Sequence, residues 1–170
     1  MKKLLLLLFI LISIAARLQA QTLLNENVNY KAGALTNALS GVNVSGGNWL
    51  SYVTGLPLKV PASGLSYPGY GSSGIGNSIK MTDTIAAAED AYRQFPARTT
   101  GTVYCALLIK VTDTVGLVAY PTITSDYFSG FISSTNINAQ VARLHIRKGS
   151  AGNTYQLGIR GNAGSNIVYV

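Results

Sequence analysis

The residues able to do chemistry are few. The chain holds one His (His145), one Cys (Cys105), two Glu (Glu26, Glu89) and four Asp (Asp83, Asp90, Asp113, Asp126). Glycoside hydrolysis needs two carboxylates flanking the scissile bond, roughly 5–10 Å apart. Glu89 and Asp90 are adjacent, so on a strand they would point to opposite faces. They read as a solvated turn or cap, with Arg93 as a structural partner for one of them. A serine or cysteine nucleophile needs a histidine base beside it. His145 is the sole candidate, and between Arg143 and Arg147 it reads as an exposed sheet-face imidazole. Cys105 lies in the apolar run 103–111 and reads as a buried, inert thiol. One Cys excludes an intrachain disulfide framework and a cysteine-rich zinc module. Calcium held by loop carboxylates and carbonyls stays open, but no Asp-x-Asp spacing points to it. No other cofactor is indicated, and the expectation is a chain without catalysis.

Sugar recognition asks for different residues: aromatic faces for pyranose rings, with polar groups around them. Trp49, Tyr52, Tyr67 and Tyr70 lie in Gly/Ser-rich segments. Arg143, His145 and Arg147 fall on one face of an alternating segment and could hydrogen-bond sugar hydroxyls or acidic glycans. These seven are the candidate glycan-binding residues. The competing expectation is that the aromatics cap core edges.

Short strands must position them. Beyond the first twenty residues the chain is rich in Ser, Thr, Asn, Gly, Tyr and Val. Strands are expected at 56–60, 102–112, 117–123, 126–132, 141–147, 154–160 and 167–170, each bounded by turn residues. Segment 102–112 (TVYCALLIKVT) is the longest β-branched and apolar run and is expected to be the central strand. In 141–147, Val141, Arg143, His145 and Arg147 alternate with Ala142, Leu144 and Ile146. Residues 149–153 (GSAGN) form a turn cluster, making 154–160 a hairpin partner. Only 85–95 offers a turn or two of helix. This pattern predicts one all-β domain, an antiparallel β-sandwich or barrel.

The N-terminus reads as an export signal. Lys2 and Lys3 precede an apolar run over 4–16, too short to span a bilayer but suited to a signal peptide. Cleavage after Ala20 gives a mature chain of 21–170 with no membrane segment. It removes three of the 13 Lys/Arg, so the formal charge falls from +7 to +4. No basic cluster exceeds Arg147-Lys148, which argues against nucleic acid as a partner.

Several motifs occur together: NENVNY at 25–30 followed by Ala32-Gly33, GGNW at 46–49, GLSYPGY at 64–70 and SGIGN at 73–77. Glu89-Asp90, RQF at 93–95, TGTVY at 100–104, DYF at 126–128 and ARLHIR at 142–147 follow. As a set they resemble secreted Bacteroidota-type proteins with a concanavalin A/laminin-G-like jelly roll, many of which bear a C-terminal sorting domain. The resemblance covers most of 23–160. It implies a concanavalin A-like β-sandwich and a secreted, extracellular or cell-surface location. Asp83-Thr84-Ile85 and Asp113-Thr114-Val115 match the Asp-Ser/Thr-apolar O-glycosylation pattern of such exported proteins, with chance matching of three residues as the alternative. Members of that group continue with further strands, whereas this sequence stops within a strand pattern at 166–170. The expectation is therefore an incomplete sandwich that self-associates through an open sheet edge. The Glu-x-Asp-x-x-Glu pattern of laminarinase-like jelly rolls is absent. The expected function is a non-catalytic, lectin-like module that binds polysaccharide or cell-surface glycan, or acts in adhesion. A structural spacer and a degenerate laminarinase-like glycosidase are the alternatives.

Overall fold

The structure, a computed structural model, describes residues 21–36, 43–53, 55–71, 73–82, 88–122, 126–133, 136, 139–162 and 164–170. The export signal at 1–20 and the Asp83-Thr84-Ile85 site lie outside the described residues. Among the described residues eight strands run in chain order: β1 (Gly33–Ala34), β2 (Leu50–Val53), β3 (Lys59–Val60), β4 (Asp90–Tyr92), β5 (Asp126–Ile132), β6 (Gln140–Lys148), β7 (Tyr155–Arg160) and β8 (Val168–Tyr169). They form two small sheets, β1-β3 and β2-β4, and a four-stranded sheet in the order β5-β6-β7-β8. All strand pairs are antiparallel. There is no helix among the described residues, so the chain is all-β. No described helix is long and apolar enough to cross a membrane.

The four-stranded sheet follows from the sequence pattern. β6 and β7 pair in continuous register from Arg143↔Arg160 to Lys148↔Tyr155. The Gly149 amide closes the hairpin onto the Thr154 carbonyl at 2.8 Å, and Asn153 takes the left-handed conformation (φ 59°) that asparagine tolerates. β5 pairs with the other edge of β6 through two register shifts. One falls where Ala142 adopts φ 49°, a bulge that separates Val141 from the face shared by Arg143, His145 and Arg147. Gly158 is required for close approach: a Cβ there would lie 2.6 Å from Ile167 Cγ2 and 2.9 Å from the Tyr169 ring.

The buried apolar core sits elsewhere. Val28, Leu35, Leu58 and Val60 form it around β1 and β3, with Tyr30, Val44, Trp49, Ile79 and Ala91 packed against it. The loop 64–77 docks onto this core by its end. Asn77 donates its backbone N–H to the Val28 carbonyl (3.1 Å) and its side-chain amide to the Tyr30 carbonyl (2.7 Å). Gly76, at φ 67°, leaves no room for a Cβ against the Asn27 carbonyl.

Three expectations are corrected. Residues 102–112 form no strand and are almost entirely exposed, Cys105 included. β propensity needs a neighbouring strand to act upon, and among the described residues this segment has none. Of the expected strand 117–123, residues 117–122 form a turn instead, joined to the sheet by Lys148 N donating to the Val118 carbonyl at 2.9 Å, and residue 123 lies outside the described residues. In 85–95, Asp90–Tyr92 is strand β4 rather than helix, because it pairs with β2; 85–87 lie outside the described residues. Leu56 contributes only an isolated bridge to Ala88.

Gly76 and Gly74 offer a matched test. Both have positive φ, but a Cβ on Gly74 meets nothing within 4 Å. Gly76→Ala is therefore expected to lower the unfolding free energy from urea titration by at least about 1 kcal/mol more than Gly74→Ala. Equal losses would mean that the loop is not seated on residues 27–30.

Candidate functional site

The two glutamates brace the core region instead of facing a cleft. Glu26 is held from four sides. Its Oε1 accepts the Val28 amide (2.7 Å), and its Oε2 accepts the Tyr30 hydroxyl (2.8 Å) and the Trp49 indole N–H (2.9 Å). The Arg93 guanidinium completes the set as an ion pair and also donates to the Tyr30 hydroxyl at 3.1 Å. Arg93 thus pairs with Glu26 rather than with Glu89 or Asp90. Glu89 is buried, not a solvated turn. Its carboxylate accepts the Thr36 hydroxyl and the Leu58 amide (3.0 Å), and its own amide donates to the Leu56 carbonyl (2.9 Å). Burial is tolerated because those donors replace water around the charge.

The face of Arg143, His145 and Arg147 is the covered face of the sheet. His145 is only 3% exposed, which corrects the expected solvent-facing imidazole. The Tyr127 ring meets it edge-on at 6.2 Å, and the Arg143 guanidinium lies 4.9 Å from the same ring. The Tyr127 hydroxyl donates to Asp90 Oδ2 at 3.0 Å. The Gln140 amide reaches the hydroxyls of Tyr52 (3.2 Å) and Tyr127 (3.4 Å). Tyr52, Arg143 and His145 therefore converge around Tyr127, where the β2-β4 sheet meets the four-stranded sheet.

Arg147 occupies the other end of that face. Its guanidinium lies 3.6 Å from the Tyr169 ring centroid and 5.1 Å from that of Tyr120. It donates to Gln156 Oε1 (2.9 Å) and to the carbonyls of Pro121 (3.3 Å) and Thr122 (2.7 Å). This clamps the turn 117–122 over the sheet. The planar fork and the stacked rings suit arginine, and lysine has no equivalent.

Tyr67 and Tyr70 stand apart. They flank Pro68-Gly69 in a turn closed by Tyr70 N–H donating to the Tyr67 carbonyl at 3.1 Å, with Gly69 at φ 83°. Proline followed by a positive-φ glycine fits a type II turn. The turn is braced by Ser73, whose hydroxyl donates to the Tyr67 carbonyl (3.0 Å) and whose amide donates to the Tyr70 carbonyl (3.0 Å). Gly74 N–H donates to the Leu65 carbonyl at 2.8 Å. The rings remain open to solvent, at 62% and 38% exposure.

Of the seven candidates, the structure thus brings Tyr67 and Tyr70 together at the surface and Tyr52, Arg143 and His145 together in a covered cluster. Trp49 and Arg147 are committed to separate bracing contacts. Sequence reasoning missed Glu26, Tyr120, Gln140 and Tyr169, whose partners lie far along the chain and leave no spacing to read. Among the described residues no three His, Cys, Asp or Glu gather to hold a metal ion.

The Tyr52 phenol titrates well above its ordinary value of 10.0, first because it is desolvated and then through Tyr127 and the Asp90 carboxylate. Its raised folded value favours the native state below about pH 10 and withdraws that stability as pH rises further. Alkaline difference spectroscopy at the phenolate band is expected to show a late-titrating tyrosine, absent from Tyr52→Phe. A wild-type curve without a late step would contradict this placement. The chain matches no family model, no curated protein and no solved structure.

Proposed function

We propose that the chain is an exported, non-catalytic, lectin-like module that attaches to polysaccharide or cell-surface glycan through the Tyr67–Tyr70 turn. The antiparallel sheets fit a concanavalin A-like sandwich of the secreted Bacteroidota-type group that the sequence resembles. The observation that carries the reading is the exposed tyrosine pair on a hydrogen-bonded Pro68-Gly69 turn. Two flat, amphipathic rings on a braced backbone lose little entropy when a pyranose ring stacks on them, and their hydroxyls can engage sugar hydroxyls. The glycan surface is narrower than the seven candidates: Trp49 donates its indole N–H to Glu26, and His145 and Arg147 are buried. The absence of catalysis in this reading is supported by the glutamates, whose carboxylates are engaged by donors of the fold.

The test is binding to a glycan array and to insoluble β-glucans, followed by titration of the best ligand. Tyr67→Ala and Tyr70→Ala are each expected to weaken binding by about two- to tenfold. Both should keep the wild-type unfolding midpoint, since neither side chain supports the core. Absence of any glycan binding, or binding unchanged in the double variant, would overturn the reading.

A further inference from the structure

Residues 102–112 and the outer side of strand β5 both lack a strand partner among the described residues. The eleven-residue segment makes no backbone hydrogen bond among the described residues, although every residue in it carries both an N–H and a carbonyl. It is apolar and β-branched, yet Tyr104 is 89% exposed and Val103, Leu107 and Ile109 are exposed as well. β5 is the edge of the four-stranded sheet, and among the described residues nothing pairs with its outer side. The two edges are complementary in charge. Lys110 is the only charged residue of 102–112, and Asp126 is the only one of β5. Both are exposed, and neither has an ion-pair partner among the described residues. In antiparallel register, placing Lys110 opposite Asp126 matches residues 110 to 104 one for one with residues 126 to 132. Tyr104, Ala106 and Leu108 then sit opposite Ile132, Gly130 and Phe128.

We propose that this chain pairs with a second copy of itself, segment 102–112 of each copy adding as a strand to β5 of the other. The exchange is reciprocal, so it closes on a two-fold axis and leaves neither segment free. Backbone hydrogen bonds supply the affinity and the Lys110–Asp126 pair fixes the register. The contact is independent of the Tyr67–Tyr70 reading, because it shares no residue with that turn.

The test uses charge reversal in trans. The purified chain is expected to run at twice the monomer mass in light scattering. Lys110→Glu alone and Asp126→Lys alone each place two like-charge pairs across the contact and should weaken association roughly tenfold. Mixing the two variants restores opposite charges at both contacts, so a mixed dimer should recover the wild-type affinity. Both positions are exposed, and circular dichroism checks that the variants stay folded. A second measurement replaces Leu107 and Ser129 by cysteine in a Cys105→Ser background, where oxidation should give a covalent dimer on a non-reducing gel. A monomeric wild-type chain, no rescue on mixing, or a disulfide formed within one chain would overturn the proposal; the last two would point to the segment folding onto β5 of its own copy.

Discussion

The Glu26 carboxylate is the contact on which the N-terminal half depends. Among the described residues only four apolar side chains are buried in the core cluster, too few to fix how residues 25–30 lie against the rest by packing alone. Glu26 adds direction where the core adds only area. It ties its own segment to Trp49, 23 residues on, and to Arg93, 67 residues on. The indole and the guanidinium approach one carboxylate oxygen, so Trp49 can pack on the core with its N–H satisfied. A neutral replacement would leave a half-buried guanidinium without its counter-ion, costing more than the pair itself contributes. Glu89 repeats the device, joining Thr36 to Leu58 across 53 and 31 residues. Both glutamate carboxylates are thereby engaged by donors of the fold.

The four-stranded sheet shows the same preference for direction over area. Its covered face carries Arg143, His145, Arg147 and Gln140, while Ile159 and Val168 on the opposite face are exposed. Such an inversion holds because aromatic rings line the arginines. Tyr127 lies beneath Arg143, and Tyr120 and Tyr169 flank Arg147. A guanidinium is weakly hydrated and stacks on rings, so the cost of covering it falls well below that of an ammonium group. Its remaining donors go to the Pro121 and Thr122 carbonyls. Those bonds explain why 117–122 bends over the sheet instead of joining it.

The legible parts of the fold were those fixed by near neighbours. β5, β6, β7 and β8 fall where alternation and the 149–153 turn place them, because a hairpin needs only its own strands and a tight connection. Segment 102–112 has the strongest strand composition in the chain and is not a strand, since composition states a readiness to pair and a partner must supply the rest. The direction of the β6 faces was also illegible. The alternation separates Arg143, His145 and Arg147 from Leu144 and Ile146, but nothing local tells which set is covered. That answer lies in Tyr52, Tyr120 and Tyr127, contributed by other elements. Of the proposed glycan surface, the sequence shows the turn between Tyr67 and Tyr70, because Pro68-Gly69 dictates it between two residues close in sequence. An indole near glycines looks the same in sequence whether its N–H faces water or, as at Trp49, a carboxylate 23 residues away.

Edge strands are ordinarily defended by several charges, prolines or a covering loop. β5 carries one charge and no proline, which leaves its two register shifts as its own protection of that edge. Segment 102–112 is no better protected. Charged residues make up only 11% of the chain, so there is little general repulsion to keep such edges apart. A single complementary charge on each edge then acts as a selector of register rather than as a barrier. Shifting the alignment by one residue would separate Lys110 from Asp126 and reverse every side chain of the added strand relative to the sheet faces. Sparse charge therefore favours association and, through its placement, one way of associating.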